Sequence, residues 1–310
     1  MTEQKTDDNV ISLNIKELFD NSPSSVFYYI SDIHIDDRLS KLEEDAKVWE
    51  KYVLTVTDEL VANISNEHKN NYILIAGDIS NHIVISELFF HCLKKSLADR
   101  TDVTVISILG NHEFWDKKFR ENKSSVDEVI YEYRKIAAKY GFYFLHNDIF
   151  CKIEGKPTII TEQEIFGLSA ANLREKLINA TDIILGSIAY SSEGKIYTAK
   201  SGLYYDLEIV NEIFEKILCN SFRNIYYKYI EATKGMKTIV MTHMGVIDWL
   251  GEEKYEDDKI YIAGHTHRNR QLNNGSSILF QDNQIGHSGK YSLKAFTITD
   301  DGTVLKRALA

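Results

Sequence analysis

The chain has 310 residues, 44% hydrophobic and 26% charged, with 36 Lys and Arg against 46 Asp and Glu and a formal net charge of −10. That balance fits a globular protein able to bury a sizeable core, and an acidic surface gives duplex nucleic acid no long-range attraction. Cys92, Cys151 and Cys219 match no metal or redox spacing, so they read as free buried thiols of a reducing compartment.

Residues 1–25 are polar and acidic, without the apolar segment of a signal peptide. No run approaches the roughly 18 uninterrupted apolar residues of a membrane span, so the expectation is a cytoplasmic protein with no membrane partner. Residues 26–30 are a β-branched and aromatic run and predict a strand. Leu42, Trp49, Val53, Val56, Leu60 and Ile64 recur mostly three or four apart, marking an amphipathic helix. Residues 72–76 predict a second strand broken by Gly77-Asp78, residues 85–97 a helix, and residues 103–109 a third strand ended by Gly110. Ser125 with Glu128 has the spacing of a capping box, opening a helix through Val129, Tyr133 and Ile136 that stops at Gly141.

Strand–helix alternation of this kind predicts an α/β layered fold with neighbouring parallel strands. After Gly141 short strands become more frequent, at 142–145, 149–153, 158–160 and 165–168, which implies antiparallel pairing and a mixed sheet. Residues 173–230, with a Gly/Ser/Lys-rich middle at 191–195 and an apolar pattern at Leu207, Val210, Phe214 and Ile217, read as helices packed on the sheet, with a cap beside the site as one role. Residues 238–241 and 260–263 predict strands, and 278–281, 293–298 and 304–306 predict strands closing the second sheet. No repeat, low-complexity tract or linker interrupts residues 26–310, which read as one domain behind a polar extension at 1–25.

Five short motifs punctuate these elements: Asp32-Ile33-His34, Gly77-Asp78-Ile79-Ser80-Asn81, Gly110-Asn111-His112-Glu113, Thr242-His243 and Gly264-His265-Thr266-His267. Several directly follow a predicted strand, where a sheet edge gathers residues distant in sequence. Singly, each is an ordinary turn or surface histidine; the ordered set is not. Two carboxylates, one amide oxygen and four imidazoles suit borderline divalent metals such as Mn, Fe, Zn, Co or Ni, whereas calcium favours more carboxylates and no imidazole. Seven donors exceed the four of one tetrahedral zinc. Two metals sharing a carboxylate follow, a pair about 3.5–4 Å apart that holds a hydroxide and clamps an in-line displacement.

The motif series resembles that of the calcineurin-like metallophosphoesterases, whose pattern is D-x-H, G-D-x-x-[DN], G-N-H-[DE], a separate His and G-H-x-H. The resemblance implies a two-sheet mixed β-sandwich flanked by helices. It implies that Asp32, His34 and His267 hold one metal, that Asp78 bridges, and that Asn111, His243 and His265 complete the other. It also implies that His112 contacts the phosphate and protonates the leaving oxygen, a role suited to imidazole at neutral pH, with Asn81 orienting it. The protein serine/threonine phosphatase branch carries Asp where this chain has Asn81, and a phosphate-gripping arginine where it has His82; resemblance to that branch is poor.

Other residues keep two readings. Glu113 reads either as a support for a metal-bound residue or as a solvent-facing or capping side chain. Phe114 and Trp115 read first as core packing, with lining of the substrate pocket as the alternative. Tyr197, Tyr204 and Tyr205 carry the same ambiguity. His82, His68, His91, His146 and His287 read as loop, surface or packing residues, and Arg268 as an exposed arginine placed near the site. The expected function is hydrolysis of a phosphodiester or phosphomonoester of a small nucleotide or similar molecule with two divalent ions, most naturally Mn or Fe/Mn. The alternatives are a catalytically weak scaffold on the same fold or a nuclease acting on nucleic-acid ends.

Overall fold

Three six-residue runs without a charged side chain form β1 (Ser25–Ile30), β2 (Asn71–Ala76) and β3 (Val103–Ile108), which pair in parallel. Parallel strands are covered on both faces, so continuous apolar runs are what they require. The computed structural model describes residues 25–66, 70–98, 100–191 and 212–267 and the strands Arg270–Asn274, Ser277–Gln281, Lys294–Ile298 and Val304–Arg307, here β10 to β13. The remaining strands are β4 (Tyr143–Phe144), β5 (Asp148–Ile153), β6 (Lys156–Ile160), β7 (Ala180–Ser187), β8 (Thr238–Thr242) and β9 (Lys259–Ala263). They form two mixed sheets, ordered β13-β12-β1-β2-β3-β4 and β10-β11-β9-β8-β7-β5-β6.

Side chains alternate across each strand, and here the alternation separates two cores. Phe27, Tyr29, Tyr72, Leu74, Ile106 and Ile108 pack between the sheets against Phe150, Ile184, Ile239, Met241, Ile260 and Ile262. Their neighbours Val26, Tyr28, Ile30, Ile73, Ile75 and Val105 face outward into a second core shared with the flanking helices. On the first sheet these helices include α1 (Ile35–Leu39), α2 (Ala46–Ala62), α3 (Ile83–Leu97), α4 (Lys117–Asn122) and α5 (Val126–Lys139). The second carries α6 (Glu162–Gly167), α7 (Ala170–Leu177), α8 (Glu212–Ala232) and α9 (Val246–Leu250). The result is the expected two-sheet α/β sandwich flanked by helices, and the Ser125/Glu128 capping box is formed. None of the described helices is long and apolar enough to cross a membrane. Cys92, Cys151 and Cys219 are buried thiols that form no disulfide.

Three expectations are corrected. Residues 165–168 are not a strand: Thr161 Oγ1 accepts from Glu164 N–H at 3.3 Å and the Glu164 carboxylate accepts from Thr161 N–H at 3.0 Å. This capping box commits the chain to α6, which buries Ile165 on one face. Residues 294–298 and 304–307 close the first sheet, not the second, because β12 pairs antiparallel with the free edge of β1 and β13 adds outside it. The stretch 173–230 is not all helical, since β7 lies within it as an interior strand between β5 and β8. Its short apolar centre, Ile183-Ile184-Leu185, has no period that separates a buried strand from a buried helix. Residues 192–211, with Tyr197, Tyr204, Tyr205, Leu207 and Val210, lie outside the described residues, as do His68, Arg268, His287 and, within the 1–25 extension, all but Ser25.

Candidate metal centre

Every motif leaves the carboxyl end of a parallel strand: Asp32 after β1, Asp78 after β2, Asn111 after β3, His243 after β8 and His265 after β9. Both sheets therefore deliver their loops to the same edge, the edge where open α/β sheets bind ligands. Five residues of the set take left-handed backbone: Asp32 (φ 50°), His34 (41°), Asp78 (55°), His265 (69°) and His267 (52°). Conformations of this kind are sparsely populated and persist where the surroundings enforce them.

The enforcement is visible in bonds between loops. Asp32, His34 and Ile35 N–H donate to the carbonyls of Gly77, Asp78 and Ile79, each at 3.0 Å, and Gly264 N–H donates to His243 O at 3.0 Å. Buried Glu113 accepts from Gly110 N–H at 2.7 Å, Ile79 N–H at 2.7 Å and Asp78 N–H at 3.1 Å. Glu113 thus ties two motif loops together and does not face solvent. Burial and the nearby Asp78 charge lift its carboxyl to about 8. Close approach explains two glycines: a Cβ on Gly77 would lie 2.5 Å from Gly110 N, and one on Gly110 would lie 2.0 Å from Asp78 Oδ1.

The side chains converge in two groups that share Asp78: Asp32, His34, Asp78 and His267, and Asp78, His243 and His265. Within each group one donor atom per residue lies within 4.8 Å of all the others. Asn111 Oδ1 joins the second group, 3.0 Å from His243 Nε2 and 3.0 Å from His265 Nδ1. His34 Nε2 and His267 Nε2 face each other at 3.0 Å, and His267 Nε2 lies 3.2 Å from Asp32 Oδ1. Asp32 is aimed by Ser31 Oγ–H, which donates to Oδ2 at 2.6 Å, and by His265 N–H at 2.9 Å to Oδ1.

The electrostatics fit cations here. His243 Nδ1 lies 2.8 Å from the Ala76 carbonyl, so its proton sits there and Nε2 presents a lone pair to Asp78 Oδ2 at 3.2 Å. A lone pair aimed at a carboxylate oxygen calls for a positive charge between them. With no ion between them a proton takes that place: burial opposes charge on His243, yet Asp78, Asp32 and the Ala76 carbonyl outweigh it and raise the imidazole to about 10. Burial lowers His34 to about 4 and His265 to about 3, keeping both neutral. Burial alone would raise Asp78, but His243 and His112 hold it well below the usual carboxylate range.

His112 stands beside these groups. Its Nδ1–H donates to Asn81 Oδ1 at 2.6 Å, its backbone N–H donates to Asp78 Oδ1 at 2.9 Å, and its Nε2 is 3.9 Å from Asp78 Oδ2. Burial lowers its pKa. Phe114 is core, 1% exposed, whereas Trp115 lies against the His112 ring. His82 is exposed at the N-terminus of α3, His91 is half-buried beside Glu50, and His146 is buried against Tyr190. Sequence reasoning missed Asp116, whose Oδ2 accepts Ile83 N–H at 2.6 Å and whose Oδ1 accepts Lys118 N–H at 2.6 Å. An Asp just before a helical segment was the available signal.

The sequence pattern of the calcineurin-like phosphoesterases matches residues 25–269. The chain belongs to that family. Calcineurin-like phosphoesterases hydrolyse phosphoesters with divalent metals, and the two histidine–carboxylate groups are the chain's candidate residues for holding them. No curated protein matches the chain. Among solved structures it is similar to phosphopantetheinyl hydrolase from Mycobacterium tuberculosis, at 12% identity and a TM-score of 0.45, over 84% of this chain and 89% of that one. It is also similar to the sulfate thiohydrolase SoxB of Thermus thermophilus, at 12% identity and a TM-score of 0.43, over 92% of this chain and 56% of that one. A cold-active protein tyrosine phosphatase follows at 12% identity and a TM-score of 0.33, over 92% and 80%.

Proposed function

We propose that the protein hydrolyses a phosphodiester or phosphomonoester of a small nucleotide or similar molecule, using Mn or an Fe/Mn pair. The observation that carries this reading is the shared Asp78: two donor groups meet at one buried carboxylate. Asp32, His34, Asp78 and His267 would hold one ion, and Asp78, Asn111, His243 and His265 the other. Two such ions supply a nucleophile from water at neutral pH and neutralise charge on the phosphoryl oxygens.

The remaining chemistry belongs to the chain. Asn81 accepts the Nδ1 proton of His112, which sets the tautomer and leaves Nε2 to the site. The burial that lowers His112 eases release of its proton to a departing oxygen. Neutral His34 and His265 bring no positive charge that would repel an ion. A formal charge of −10 supports a small anion drawn to a local cationic centre over a duplex nucleic acid.

The test is metal-stripped protein reconstituted with Mn and assayed on a chromogenic phosphodiester and the matching monoester. Metal-dependent turnover of either supports the reading, and the preferred one assigns the substrate class. No turnover of either, with Mn bound, would sink it.

A further inference from the structure

We infer that Trp115 is a positioning residue for His112, a flat wall that keeps the imidazole aimed at the reacting phosphate; this rests on the general-acid reading of His112. Residues His112–Trp115 form a single 3-10 turn. Side chains three apart eclipse in that geometry, so the indole falls directly over the imidazole. Their ring centroids are 4.0 Å apart with planes inclined by 32°. The edge of His34 closes another side, at 4.6 Å and 72°.

These contacts supply what hydrogen bonding leaves undone. Among the described residues, the His112 ring has one side-chain hydrogen bond, from Nδ1 to Asn81. One such bond sets the tautomer but leaves the ring free to tilt about it. A half-buried indole on one face removes that freedom. Asp116, the next residue, bonds Ile83 N–H and so ties the end of the turn to the loop carrying Asn81. Wall and hydrogen-bond partner are thereby held in one frame.

The prediction is a loss in kcat with little change in KM. Trp115→Ala should lower kcat on the order of tenfold to a hundredfold, the scale of a misplaced catalytic group, and Trp115→Phe, which restores a flat face, should recover most of it. The loss should be larger for an alkyl ester, whose leaving oxygen needs a proton, than for a nitrophenyl ester. In a double-mutant cycle Trp115→Ala should add less than about twofold once His112 is alanine, because both act through one group. Trp115→Leu keeps bulk without a flat face and serves as a second variant where alanine fails to fold; it should behave as alanine does.

Three results would overturn the inference. Independent, multiplicative losses in the cycle would show that Trp115 acts elsewhere. A raised KM at unchanged kcat would make it a substrate contact. Full activity of Trp115→Ala and Trp115→Leu would leave it no role. If His112→Ala itself is fully active, the general-acid reading falls and this inference falls with it, whereas slow His112→Ala with multiplicative losses removes the Trp115 inference alone.

Discussion

The two ends of the sandwich treat their carboxylates in opposite ways. At the end away from the motifs, Asp182 Oδ2 accepts the Tyr72 hydroxyl at 2.6 Å with Lys152 Nζ at 3.8 Å, and Asp102 takes both Arg100 Nε and Nη2 at 2.8 Å together with Asn71 Nδ2 at 2.7 Å. The chain provides the cations, and the carboxylates are neutralised within the fold. At the motif end, Asp32 and Asp78 are 0% and 1% exposed, yet the ion pairs around them come from histidines alone among the described residues. No described Lys or Arg serves them. The first end is a closed structural network; the second leaves a demand for positive charge that external cations would meet.

The largest expected effect breaks the second end. Asp78→Asn removes the shared carboxylate, and both metal content by elemental analysis and turnover should collapse, activity falling on the order of 10³-fold or more. Full metal occupancy in that variant would contradict a shared ligand. His265→Ala should lose metal and turnover in the same direction. His112→Ala should keep its metal while kcat drops by about 10²–10⁴-fold; wild-type kcat would remove His112 from the mechanism.

Smaller effects sharpen the contrast. Adding Mn to stripped protein should raise the melting temperature, since a ligand bound only by the folded state stabilises it by about 2.7 kcal/mol at a hundred times its Kd. The same addition should do nothing to Asp78→Asn. His146 offers a pH test: burial lowers it to about 3, so the folded chain keeps it neutral where the unfolded chain, near 6.5, takes a proton. Stability present above pH 6.5 is therefore lost as pH falls towards 3, at about 2 kcal/mol by pH 5. His146→Gln should flatten that acid loss in urea titrations at pH 7 and 5, and an unchanged slope would refute the assignment. At the closed end, Tyr72→Phe should cost about 1 kcal/mol of stability and leave kcat per folded molecule unaltered.

Much of this was legible because local chemistry was enough. Apolar runs marked β1, β2, β3, β8 and β9, and turn residues after them marked the motif loops. Ser125 and Glu128 announced α5 through bonds only three residues apart. Where a competing local signal was overlooked, as with Thr161 and Glu164, a helix was read as a strand. Where the decision was not local, as with the sheet joined by β12, no reading of the run itself could settle it.

The sequence by itself determined which atoms the chain brings to its strand ends, because oxygen and imidazole donors in that order are a property of residue type and spacing. Tertiary structure decided how they meet. That Asp78 faces both donor groups and that His265 N–H aims Asp32 from 233 residues away depend on contacts between loops of different strands. Those contacts exist only once two sheets have packed and set their edges side by side.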